Sequence, residues 1–178
     1  PVAKTAANNV TEYHSFAGKH PAGLAGTHIH FLHPIMRGVT VWTIGYQDVI
    51  AIGKLFTTGR LYTRRMLSLA GPAVKNPHLI VTERGADISG LTKGQLEAGE
   101  NRIISGSVLS GRKVFGNTAY LGRFDNQVSV LSEGRERPAF HFLSVGSNRF
   151  SKLPIYISKF FGSKKYDFTT SSNGSPRA

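Results

Sequence analysis

The sequence predicts a mixed α+β fold, and three observations carry that expectation. Short β-branched or alternating runs recur along the chain, an apolar stretch with helical spacing follows the first of them, and Gly and Pro clusters punctuate the intervals. A length of 178 residues suits one good-sized domain or two small ones. Hydrophobic content of 40% with 18% charged residues belongs to a chain that folds. No uninterrupted apolar run is long enough to span a bilayer.

Residues 1–38 are rich in Gly, Pro, Asn and His, with few periodic apolar positions, and read as loops with short strands. Val39–Ile44 (VTVWTI) is β-branched with one aromatic, which predicts a strand ended by Gly45. Asp48 then stands near a helix start, and Val49, Ile50, Ile52, Leu55 and Phe56 supply an apolar face up to Gly59. A strand followed by a helix is an α/β unit, yet one of each cannot cover both faces of a parallel sheet.

Met66–Ala70 and Leu79–Arg84 predict two strands, with turn chemistry between them at Gly71, Pro72, Asn76 and Pro77. A short helix or turn around Leu91 and Leu96 leads to a further strand at Arg102–Ser107. Strand, strand, helix, strand in that order is a β-grasp-like layout. Gln127–Ser132 alternates cleanly and Ala139–Leu143 is strand-like, with Gly134 and Pro138 between them, so a second hairpin is expected. Ile155–Phe161 fits a short helix and a strand nearly equally.

The net charge of +12 comes from 22 Lys and Arg against 10 acids and suits an anionic partner: nucleic acid, a lipid surface or an acidic protein surface in a larger assembly. Basic runs never exceed pairs, which weakens the nucleic-acid option. From Arg112 onward there are 11 basic and 4 acidic residues, so the C-terminal third is the expected docking face. The absence of cysteine excludes disulfides, thiolate zinc sites, iron–sulfur ligation by this chain and a cysteine nucleophile. A first residue of Pro1 and a loose tail (SSNGSPRA) read as a piece cut from a longer protein.

Five of the seven histidines precede residue 34. On a strand, His28 and His30 would share a face and could present two imidazoles to one metal, with His33 as a third ligand. Glu12 and Asp48 are the only acids in the first 82 residues, and backbone-bonded histidines are the favoured reading. Ser105–Gly111 (SGSVLSG) resembles a glycine-rich cradle but lacks a following Lys-Ser, so tight turning is expected there. Glu97 with Glu100, and Glu133 with Glu136 beside Arg135 and Arg137, read as solvated turns. Phe160, Phe161, Lys159, Lys164 and Lys165 are expected to combine packed phenylalanines with solvated lysines.

GTHIHFLHP at Gly26–Pro34, VWTIGYQDVIAIGKLFTTG at Val41–Gly59, LAGPAVKNPHLI at Leu69–Ile80 and ENRIISGSVLSG at Glu100–Gly111 together resemble one family. The likeness runs on through YLGRFDNQVSVLSEGRE at Tyr120–Glu136 and FTT at Phe168–Thr170. That family is the alpha subunit of the bacterial sodium-translocating NADH:quinone oxidoreductases. It implies the end of a Rossmann-like region over 1–62, similar to the flavin-carrying component of complex I. A β-grasp-like SLBB domain over 63–113 and a strand-rich extension over 114–178 would follow.

The resemblance also implies a cofactor-free peripheral subunit on the cytoplasmic side of the bacterial inner membrane. NADH, flavins, iron–sulfur centres and ubiquinone would belong to the parent complex, which oxidises NADH, reduces ubiquinone and exports sodium. Partners would be the other subunits, chiefly one within the membrane, where this chain would help form the quinone site. No catalytic, cofactor-binding or metal residue is carried over, and the quinone contacts are left unassigned. The alternatives from other classes are a basic nucleic-acid-binding module and, behind it, a metal hydrolase built on the histidine cluster.

Overall fold

The computed structural model describes residues 11–135, 145–147, 149–150, 155–161 and 166–171, and the side chain of Phe161 is outside that description. The chain divides into two units, Pro1–Ile50 and Ala51–Ala178. The fold is mixed α+β, as the sequence predicts.

In the first unit the expected short strands give way to a helix, α1 (Ala25–Leu32). The His-Ile-His alternation imitates a strand, but the preceding turn starts a helix instead. Leu24 N–H and the Thr27 hydroxyl both donate to the Pro21 carbonyl, at 2.9 and 3.0 Å. Pro34 stops the helix, since the residue before a proline is driven out of the α region; His33 sits at φ −152°, ψ 76°.

Val39–Ile44 forms no strand, and Trp42 is 90% exposed. β-Branched residues make a segment competent to extend, but a strand exists only when a neighbour takes up its backbone donors and acceptors. Among the described residues none does. Helix α2 (Tyr46–Thr58) is where the apolar spacing places it, with Asp48 in its first turn. Gly59, at φ +68°, closes it by donating to the Leu55 carbonyl.

The second unit is built on a five-stranded sheet. Strands β1 (Arg64–Ala70) and β2 (His78–Glu83) form the expected antiparallel hairpin, in register from Arg64 opposite Glu83 to Leu69 opposite His78. Helix α3 (Ile88–Thr92) follows, then β3 (Asn101–Ser105), β4 (Arg112–Lys113) and β5 (Gln127–Ser132). The Asp87 carboxylate caps α3 by accepting from the N–H groups of Ser89 and Gly90, at 3.0 and 2.9 Å. Asp87→Ala is expected to cost about 1 kcal/mol, measured as a lowered denaturant midpoint with unchanged m.

The strand order is β2-β1-β5-β3-β4, with β5 parallel to β1 and antiparallel to β3. The sheet therefore draws its central strand from beyond the expected 63–113 segment. In this arrangement β1 pairs with the first half of β5 and β3 runs along its other edge; the expected second hairpin would join β5 to 139–143. Residues 139–143 lie outside the described residues. Ile155–Phe161, left open between helix and strand, contains a 3-10 turn at Ile157–Phe161.

One face of the sheet carries the core. Leu67, Leu69, Val128 and Val130 pack with Ala73, Val74, Ile88 and Leu121, and Ile80, Leu91 and Ile103 close around them. Gly71 is placed where the chain leaves β1 and crosses β5. Its φ is +132°, and a Cβ there would lie 2.1 Å from the Val130 carbonyl oxygen.

Candidate functional site

The histidine cluster does not assemble. On α1 the two-residue spacing of His28 and His30 puts them about 160° apart around the helix axis, so they share no face. His28 stacks on Phe16 with ring centroids 4.3 Å apart and donates from Nε2 to the Ala22 carbonyl at 2.8 Å. His30 meets the ring of Phe31 edge-on. Among the described residues no three His, Asp or Glu side chains gather closely enough to hold a metal.

The expected solvated turn at Glu133 is instead a closed ion-pair site at the end of β5. Its side chain is only 7% exposed and accepts both guanidinium branches of Arg102, at 2.8 and 2.9 Å. The Thr170 hydroxyl donates to the same carboxylate at 2.6 Å, and Thr170 N–H donates to the Ser132 carbonyl. Lys113 Nζ stands 3.9 Å away. Arg102 above all, and Thr170 after it, hold the Glu133 carboxyl below the usual glutamate range. Glu100 beside it pairs bidentately with Arg135, whose guanidinium lowers the Glu100 carboxyl likewise. Glu136, the other acid expected at this turn, lies outside the described residues.

At the opposite end of the sheet, Ser105–Gly111 turns tightly between β3 and β4, as expected of its glycines. The Ser107 hydroxyl accepts from Ser110 N–H at 3.1 Å and Leu109 N–H at 3.3 Å. Ser105 is fully buried and donates to Asp125 at 2.5 Å while accepting from Gly122 N–H at 3.0 Å. Ser129 donates to the Gly106 carbonyl at 2.8 Å. Gly106 sits at φ +97°, and a Cβ on it would lie 2.9 Å from Asp125. This knot ties the 106–111 turn to the 122–126 loop. Its members have no motif spacing, and the only trace of it in the sequence is the clustering of Ser, Gly and Asp.

Near the C-terminus, Phe150, Tyr166 and Phe168 form an edge-on aromatic cluster, and Lys159 Nζ lies 5.7 Å from the Phe150 ring centroid. The expectation of packed phenylalanines fails at Phe160, which is 83% exposed. Lys164 and Lys165 lie outside the described residues. The apolar face of α2 is legible in the sequence, but its lack of cover among the described residues is not. The helix buries no residue, although Tyr46, Val49, Ile50, Ile52, Leu55 and Phe56 spread over more than one of its sides. Among the described residues no helix is long and apolar enough to cross a membrane.

Comparison with known proteins adds two family models and a set of relatives. Residues 2–61 match the model described as the NqrA second alpha/beta domain, and residues 66–116 match that described as the NQRA C-terminal domain. The alpha (A) subunit of the Na(+)-translocating NADH-quinone reductase of Saccharophagus degradans is 63% identical over 177 residues, which is 99% of this chain and 39% of that protein. Its counterpart in Cellvibrio japonicus is 63% identical over 166 residues, 93% of this chain and 37% of the relative. The counterpart in Pseudomonas aeruginosa strain UCBPP-PA14 is 56% identical over 164 residues, 92% of this chain and 37% of the relative. The chain thus spans less than two fifths of the length of these relatives.

Proposed function

The chain belongs to the NqrA family, the alpha subunits of the Na(+)-translocating NADH-quinone reductases, and on that premise we propose that it acts as a docking and shaping element of such a reductase. The complex passes electrons from NADH to ubiquinone and exports sodium, and the redox cofactors sit in its other subunits. This chain lies peripherally on the cytoplasmic face of the inner membrane, contacts one of the membrane-embedded subunits and helps to form the quinone site.

One observation carries the docking role: α2 presents apolar side chains on more than one side and none of them is buried. A helix of that kind is stable in water only when other protein covers it. The face of α2 is therefore where the chain meets the rest of the reductase. Phe56, 84% exposed, is the side chain to test. In the full-length protein, Phe56→Asp is expected to abolish co-purification with the complex and to lower quinone reduction at least tenfold, about 1.4 kcal/mol or more. Undiminished recovery of an active complex with that variant would falsify the assignment.

A further inference from the structure

The two ends of the sheet differ in kind. Glu133, Arg102, Glu100 and Arg135 neutralise one another at the end where β3 begins and β5 finishes. At the other end the two turns joined by the Ser105–Asp125 knot project apolar side chains outward. Leu109 is 72% exposed and Phe124 is 76% exposed, with Val108 beside Leu109 also exposed. Arg123 lies over the Phe124 ring, 5.0 Å from its centroid.

Charge at this end is positive. Arg64 opens β1 and is exposed, as is Arg123 beside Phe124, and Arg112 opens β4, its guanidinium steadied by the Thr118 and Tyr120 carbonyls. Two of the acids nearby are occupied within the fold, since Asp125 accepts from Ser105 and Asp87 caps α3, which leaves Glu83 as the exposed acid at this end. The whole chain adds a net charge of +12.

We propose that the paired tips, Val108–Leu109 and Phe124, form an insertion point for an anionic lipid surface, flanked by arginines that meet the phosphates. Shape and charge both favour a bilayer over a protein partner. Protruding single side chains need a matched hollow on a protein, whereas the acyl boundary of a bilayer closes around any contour. Arginines beside an apolar tip match a layer that is negative at its surface and apolar just beneath. The buried knot keeps both tips in place, so little ordering is required on contact. The inference goes beyond the reductase role and concerns this chain's own surface.

The test uses the full chain and vesicles of phosphatidylcholine with and without phosphatidylglycerol. Because the chain has no cysteine, Val108→Cys accepts a single environment-sensitive dye, and Lys93→Cys on the α3 side serves as the control. The expected result is co-sedimentation with anionic vesicles only, with a blue shift of the dye at 108 and none at 93. Leu109→Asp and Phe124→Asp should each weaken this binding at least tenfold while the melting temperature stays unchanged. Absence of binding to anionic vesicles overturns the proposal. So does binding that both variants retain without a dye shift, which is adsorption through charge alone. Protection of the dye by the other reductase subunits, with no partition into vesicles, assigns the tips to a protein and overturns it as well. None of these outcomes bears on whether Phe56 docks the chain onto the reductase.

Discussion

Gly71→Ala is expected to destabilise the second unit more than any other single methyl addition in the sheet. A Cβ at this position would stand 2.1 Å from the Val130 carbonyl, and 2.8 and 2.9 Å from two further Val130 backbone atoms. Backbone cannot swing aside as a side chain can, so the added methyl must displace β5 from β1. The φ of +132° adds strain of its own for any residue with a Cβ. Overpacking of this sort costs about 1–3 kcal/mol, and the backbone strain about 1–3 more. The outcome should be read by denaturant melting of the whole chain, with near-native stability as the contrary result. As a control, alanine at Gly85 meets no atom within 4 Å and bears only the strain of its φ of +70°.

The second large effect is expected from Arg102→Ala. Removing the guanidinium leaves a nearly buried Glu133 carboxylate with Thr170 and a distant Lys113 as its remaining partners. A buried acid that loses its cation is destabilising, and protonation relieves it. In the native chain the folded carboxyl is depressed below its unfolded value of about 4.3. Its contribution is therefore fully present above that value and is lost as pH falls through the lower, folded one. Arg102→Ala should remove this acid-side loss and bring the Glu133 carboxyl back up, seen by carboxyl NMR titration. Combining it with Glu133→Gln should recover part of the stability, because the double variant has no stranded charge. An acid limb unchanged in Arg102→Ala would mean that Thr170, and not the arginine, sets the carboxyl.

Local pattern made β1, β2, α2 and β5 legible: each has its apolar spacing intact and a glycine or turn residue at its border. The pattern misled at His28–His30, where alternation over three residues was outweighed by hydrogen bonds from the turn before it. It also misled at Val39–Ile44, whose propensity found no described strand to pair with. β4 has two residues, too few to carry a period. The sites were less legible than the elements because their members are far apart in sequence. Arg102 meets Glu133 across 31 positions and Ser105 meets Asp125 across 20, separations at which no spacing rule operates. Only the sheet order brings these pairs together.

That order also fixes when the sheet can exist during synthesis. β1 and β5 are its first and last strands in the chain, yet they lie side by side, and in the strand order β5 stands between the β1–β2 hairpin and the β3–β4 hairpin. Until Ser132 has left the ribosome, the two hairpins lack the strand that joins them into one sheet. A gene fragment ended near 116, where the second family match stops, would lack that strand and with it Val128 and Val130 of the core. Assembly of the whole sheet must wait for its longest loop closure, a non-local pairing of the kind that slows folding relative to a sheet of sequential hairpins.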